Sequence, residues 1–138
     1  MLRRARARDR EVGWVQGDAG SLPFADGAFD AVISTEAFHW FPDQDAALAE
    51  CFRVLRPNGR LLIALVNTPA AVVSDVMHVV SRLFEPFYWP TKGEMRTRVE
   101  AAGFEVLSQR RIFRIPGFVL LPVLTHAVRR TRPHGLPG

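Results

Sequence analysis

An acidic residue followed by a small one, Asp18-Ala19, stands where the alternating run Glu11 to Gln16 gives way to a loop rich in chain breakers. A carboxylate at a strand end can accept a hydrogen bond from an exocyclic amino group such as that of adenine, while the next backbone amide donates to a ring nitrogen. Taken alone, Asp18 reads equally as a turn former. In open α/β sheets ligands collect beyond the carboxyl ends of the strands, which puts a second strand end, Ser34-Thr35, on the same side. His39, within Glu36 to Phe41 (EAFHWF), has the ordinary pKa of a general base that takes a proton from a hydroxyl or amine. With no carboxylate fixed beside it by spacing, His39 reads more readily as a residue that packs the connection together with Trp40.

Other reactive groups carry less. Cys51 shares a helix face with Leu48, Phe52 and Leu55 and has no basic neighbour there to lower its thiol pKa, so it reads as a small buried hydrophobe. His78, His126 and His134 are too scattered to suggest a metal site, and no zinc spacing, P-loop or Ser-His-Asp arrangement is present. Phe84, Phe87, Tyr88 and Trp89 form an aromatic cluster, bracketed by Pro86 and Pro90, that reads either as core or as the lining of a pocket.

The elements that must hold these residues follow from periodicity and punctuation. Leu2 to Arg8 is expected as a short helix and Glu11 to Gln16 as a short strand. Asp18 to Gly27, with Gly20, Pro23 and Gly27, is a loop. Phe29 to Ser34 is nearly all apolar after Asp30, as expected of a strand covered on both faces. Pro42 to Leu55 is the clearest helix: Asp43 suits the N-cap, Asp45 and Arg53 complement the dipole, and Leu48, Cys51, Phe52 and Leu55 make the buried stripe. Pro57 and Asn58-Gly59 end it, and Arg60 to Val66 follows as an apolar strand reached by a right-handed parallel crossover. A second helix should open at Thr68-Pro69, with Val72, Val73, Val76, Val80, Leu83 and Phe84 on its apolar face. The pattern Thr91-Lys92-Gly93-Glu94 predicts a capping box for a third helix, closed by Gly103. Phe104 to Arg114 and Phe118 to Val128 read as a hairpin around Ile115-Pro116-Gly117, with Pro122 marking the last strand as an edge or bulged one.

Composition narrows the class. At 138 residues, 48% apolar and 10% aromatic, the chain fits one folded domain rather than a disordered segment. Its apolar runs fall far short of the roughly 20 residues that cross a bilayer, and no apolar h-region follows the basic start. A single cysteine suits a reducing cytoplasm. The net charge of +4 equals that of residues 1–10, which hold five arginines and one Asp, so residues 11–138 sum to zero. With the excess confined to one terminal segment and a small cluster at Arg129, Arg130 and Arg132, the pattern reads as a solvated helix end, and neither nucleic acid nor membrane is expected as a partner.

The stretch Gly17 to Val66, and within it LPFADGAFDAVIS, resembles the second half of the cofactor domain of class I S-adenosylmethionine-dependent methyltransferases of the type 11-like family. The resemblance implies S-adenosyl-L-methionine as cofactor and a small-molecule acceptor. It places the Asp18-Ala19 pair on the adenine, Leu22 in the loop near the cofactor, and Ser34 and Thr35 against its methionine end. His39 would be the one candidate catalytic residue, and an optional one, since proximity and alignment suffice for an electrophilic sulfonium. The family sheet runs 3-2-1-4-5-7-6, and the first three strands expected here match its third, fourth and fifth.

The implied fold class is therefore α/β: a partial Rossmann-like, doubly wound sheet lacking the first two strands and the Gly-rich loop, with a C-terminal antiparallel hairpin. It would occupy residues 1–128, followed by a disordered basic tail over 129–138. The chain is expected to be a fragment, or to start at an internal Met of a longer frame. Phe29 to Ser34 would then form an exposed hydrophobic edge, and the isolated chain would be impaired or inactive. The alternative is a non-catalytic remnant or interaction module that pairs through that edge. The acceptor atom and the oligomeric state stay open.

Overall fold

The computed structural model describes residues 12–67, 90–112 and 121–130. Four strands form one mixed sheet: β1 (Phe29–Thr35), β2 (Leu55–Asn67), β3 (Phe104–Arg111) and β4 (Leu121–Arg129), in the spatial order β1-β2-β4-β3. β1 and β2 are parallel, and β4 is antiparallel to both β2 and β3. This order is the 4-5-7-6 half of the sheet implied by the resemblance, including the C-terminal hairpin. Helices α1 (Gln44–Val54) and α2 (Lys92–Ala101) pack on one face, joined by an Arg98–Asp45 ion pair at 2.7 Å.

Both helices begin where the sequence says they should. The Asp43 carboxylate accepts from the Ala46 amide at 2.8 Å and caps α1. Thr91 and Glu94 form the reciprocal capping box of α2, satisfying two amides that the helix itself leaves unpaired. Strand alternation turns Leu61, Ile63 and Leu65 of β2 toward these helices, where they meet Leu48, Met95, Val99, Phe104, Val106 and Ala127 in one apolar core. Cys51 and Phe52 pack against that core from α1, as the helical stripe requires.

Several expectations need correction. Residues 12–17 form no strand: Val12 and Val15 are 48% and 55% exposed, and among the described residues their backbone joins no ladder. β1 is not covered on both faces. Ile33 is 68% exposed, and among the described residues the far side of β1 pairs with no strand. The Asn58-Gly59 turn is absorbed into β2, which starts at Leu55 opposite Phe29 and resumes pairing at Arg60 opposite Ala31. Residues 56–59 thus bulge outward, with Asn58 at φ 64°. Gly59 is needed there for space, since a Cβ would stand 2.8 Å from the Arg56 carbonyl oxygen.

β4 lies inside the sheet rather than at its edge. Pro122 is tolerated because it sits beside Val66 near the start of the strand, before pairing with β3 begins at Val123. Arg129 and Arg130 belong to the fold rather than to the expected disordered tail, since Arg129 ends β4 and Arg130 follows it. Arg129 donates to the carbonyls of Phe52, Arg53 and Leu55, and Arg130 to the Glu105 carboxylate. The helices expected at Leu2 to Arg8 and from Thr68, the aromatic cluster at 84–89, the turn at 115–117 and Arg132 lie outside the described residues.

Candidate functional site

The loop from Asp18 to Gly27 is built by hydrogen bonds that close on themselves. The Asp18 carboxylate accepts from the Gly20 amide at 2.9 Å, and its carbonyl accepts from Ser21 at 3.1 Å. Asp18 is thus a turn former, and the turn leaves its side chain exposed. Pro23 folds back onto Gly17, where a Cβ would come within 2.8 Å of the proline ring. The result is a cleft of about 380 Å³ lined by Val15, Gly17, Asp18, Ala19, Leu22, Pro23, Phe24 and Phe41. Its volume lies in the range of small-molecule sites, roughly 300–1,000 Å³. One carboxylate that accepts from an amino edge, on an otherwise apolar and glycine-lined wall that a flat ring can lie against, fits an adenosyl group.

Three of the expected residues, Asp18, Ala19 and Leu22, therefore meet in one cleft. Ser34 and Thr35 do not line it, and they point to opposite faces of β1 as consecutive strand residues must. Ser34 faces the helices opposite Ile63, and its Oγ is buried without a hydrogen-bond partner among the described residues. The chain leaves β1 through Glu36, whose φ of 52° is left-handed and whose amide donates to the Ala64 carbonyl at 2.9 Å. Such a conformation carries strain of about 1–3 kcal/mol and occurs mostly at switch and binding regions.

A 3₁₀ turn, Phe38–Trp40, follows. Phe38 anchors it in the core, and its ring meets Phe41 edge-on at 5.6 Å, which brings Phe41 to the cleft. His39 is buried, and burial lowers its pKa below the ordinary value of 6.5 against the opposing pull of the Glu36 charge. The imidazole is thereby kept neutral, while Trp40 beside it is 60% exposed. The Cys51 thiol moves the other way, pushed up to about 11 by burial and the Glu50 charge, which leaves it unreactive.

Two residues that the sequence reading did not connect with the loop, Glu50 and Arg53, hold it in place. Arg53 and Glu50, one turn apart on α1, bind the Leu22 to Asp26 backbone and side chains. The spacing of three residues marks them as a pair on one helix face, but nothing local in sequence shows that a loop lies across them.

Residues 1–63 match a family model described as a methyltransferase domain. A demethylmenaquinone methyltransferase of Mycolicibacterium vanbaalenii is 35% identical over 148 residues, covering 92% of this chain and 63% of that protein. The chain thus spans less than two thirds of that relative's length. Among solved structures, a chain from the complex of the Haloferax volcanii Trm112 methyltransferase activator superposes with a TM-score of 0.76 at 24% identity, over 95% of this chain and 68% of that one. The 1,6-didemethyltoxoflavin-N1-methyltransferase of Burkholderia thailandensis, with bound S-adenosylhomocysteine, gives a TM-score of 0.67 at 20% identity, over 94% of this chain and 56% of that one. At these identities the structures speak for the fold, and the demethylmenaquinone methyltransferase supplies the likeness in sequence. Cleft, half-sheet, family match and relative agree: over residues 1–63 the chain matches the methyltransferase domain family, and its sheet has the fold of solved methyltransferases.

Proposed function

We propose that this chain serves methyl transfer from S-adenosyl-L-methionine to a small-molecule acceptor, and that its described residues form the adenine side of the cofactor site. The observation that carries the reading is the meeting of Asp18, Ala19 and Leu22 on one otherwise apolar cleft. The Asp18 carboxylate accepts from the exocyclic amino group, the Ala19 amide donates to a ring nitrogen, and Leu22 with Phe41 excludes water from the ring faces. Ser34 and Thr35, at the end of β1, are assigned to the methionine end, and the unpartnered Ser34 Oγ supports that assignment. The bound cofactor supplies a methyl group on a positively charged sulfur, an electrophile that needs alignment more than activation. His39, held neutral by burial, is in the form that accepts a proton from an acceptor hydroxyl or amine. A small molecule as acceptor agrees with the names of the relative and of the toxoflavin enzyme, which describe those proteins.

Neither nucleic acid nor a membrane is a partner in this reading. Arg129 and Arg130 are engaged within the fold, and among the described residues no helix is long and apolar enough to cross a bilayer. The free Cys51 supports a reducing cytoplasm as the compartment. Residues 1–128 act as the domain together with Arg129 and Arg130, which are bonded into it, and the residues after them act as its tail.

By themselves these 138 residues bind cofactor weakly and turn over little, because the described cleft is open and β1 beside it is the outermost strand among the described residues. A second reading, an interaction module that pairs through β1, is favoured by the exposure of Ile33. Titration with S-adenosylhomocysteine separates the two. Amide shifts at Asp18, Ala19 and Leu22 at millimolar ligand, abolished by Asp18→Ala, are expected. Shifts confined to other residues would sink the cleft assignment, and a micromolar calorimetric Kd would overturn the weak binding.

A further inference from the structure

We propose that Glu50 and Arg53 are positioning residues for the cofactor cleft: from helix α1 they set the backbone conformation of Leu22 to Gly27, and with it the wall that an adenine ring would meet. The proposal rests on the cleft reading above and adds two residues that do not line the cleft.

The geometry is a fork that closes from both sides. Arg53 Nε donates to Glu50 Oε1 at 2.7 Å and Nη2 to Glu50 Oε2 at 2.8 Å, a bidentate pair that fixes the guanidinium plane. Nη2 also donates to the Leu22 carbonyl at 3.0 Å, and Nη1 donates to the Phe24 carbonyl at 2.8 Å and to Asp26 Oδ1 at 2.7 Å. All five N–H groups of the guanidinium are thereby used. Glu50 Oε2 accepts from the Leu22 amide at 2.7 Å, and the Arg53 carbonyl accepts from the Gly27 amide at 2.9 Å. Leu22 is therefore held through both its amide and its carbonyl, and Leu22 and Phe24 both line the cleft. Phe24 is held a second way, its ring meeting Phe29 edge-on at 4.8 Å. No bond inside the segment replaces these contacts except the one from the Phe24 amide to the Leu22 carbonyl. A lysine cannot stand in, because a single ammonium cannot span two carbonyls and two carboxylates in one plane.

The test uses the full chain, with amide hydrogen exchange and S-adenosylhomocysteine titration followed by NMR. In Arg53→Gln, exchange at Leu22 and Gly27 should speed up at least tenfold and affinity should fall at least tenfold, while core amides such as Leu61 and Ala127 stay protected. Arg53→Lys should keep the ion pair with Glu50 yet stay weak in binding, and Glu50→Gln should fall between. Arg56→Gln, which removes the exposed Arg56–Asp30 ion pair, should change neither readout. Unchanged affinity in Arg53→Gln despite faster exchange, or wild-type affinity in Arg53→Lys, would overturn the proposal while leaving the cleft reading intact. Should Arg53→Gln lose its core protection, Arg53→Lys and Glu50→Gln decide. A wild-type chain that shows no cleft shifts removes the cleft reading itself, and this proposal with it.

Discussion

The Arg129 guanidinium carbon sits 4.4 Å from the centre of the Phe52 ring, and Nη1 of the same side chain donates to the Phe52 carbonyl at 2.8 Å. The last residue of β4 thus closes the C-terminal turn of α1, where helical carbonyls have no partners of their own. Arg53 and Leu55 contribute the other accepting carbonyls. Since Arg53 also grips the loop from Leu22 to Asp26, strand, helix and loop meet at one point.

Removing that cap should be felt by the whole fold. Arg129→Leu is expected to destabilise by about 2–3 kcal/mol, since it strips carbonyls of a charged donor and removes a cation–π contact. Arg129→Lys should recover only part of this. Urea unfolding followed by circular dichroism measures both, and a wild-type midpoint in Arg129→Leu would contradict the role.

Acid should act through Glu50. The Arg53 hydrogen bonds and the Leu22 amide hold its carboxyl down at about 2 in the fold, against an ordinary value of 4.5. A depressed folded-state pKa gives stability that is complete above about 4.5 and lost as pH falls toward about 2. Melting temperature should therefore drop across that window in the wild type and drop less in Glu50→Gln. Parallel curves for the two proteins would show that Glu50 carries no such linkage.

Two glycines should respond in opposite directions to alanine. Gly59→Ala places a Cβ 2.8 Å from the Arg56 carbonyl and 3.0 Å from Leu55 Cδ2, so it should destabilise by about 1–3 kcal/mol. Gly93 lies in the first turn of α2 with no atom within 4 Å of an added Cβ, and Gly93→Ala should stabilise by roughly 0.5–1 kcal/mol. Thermal denaturation of the pair tests both signs at once.

The open edge of β1 should drive self-association. Ile33→Lys places a charge on that strand, which should lower the concentration-dependent mass seen in sedimentation velocity. At so exposed a position the unfolding free energy should move by less than about 0.5 kcal/mol. Unchanged association would place the contact elsewhere.

The amino-acid sequence by itself determined the local elements, because their causes are local. Asp43 and the Thr91-to-Glu94 box mark helix starts through bonds that span three residues, and apolar runs mark β1 and β2. That Asp18, Ala19 and Leu22 lie close together was legible because they share one loop and a motif. Tertiary structure alone decided what touches across the chain. The loop contacts of Arg53 span 27 to 31 residues and the Arg129 cap spans 74 to 77, distances over which no periodicity carries information. Likewise, Pro122 suggested an edge strand, yet β4 is internal, since a missing amide matters only where a neighbour would have used it. Chain spacing reports the hydrogen bonds a segment makes with itself, while partners brought by folding are set by how the faces pack.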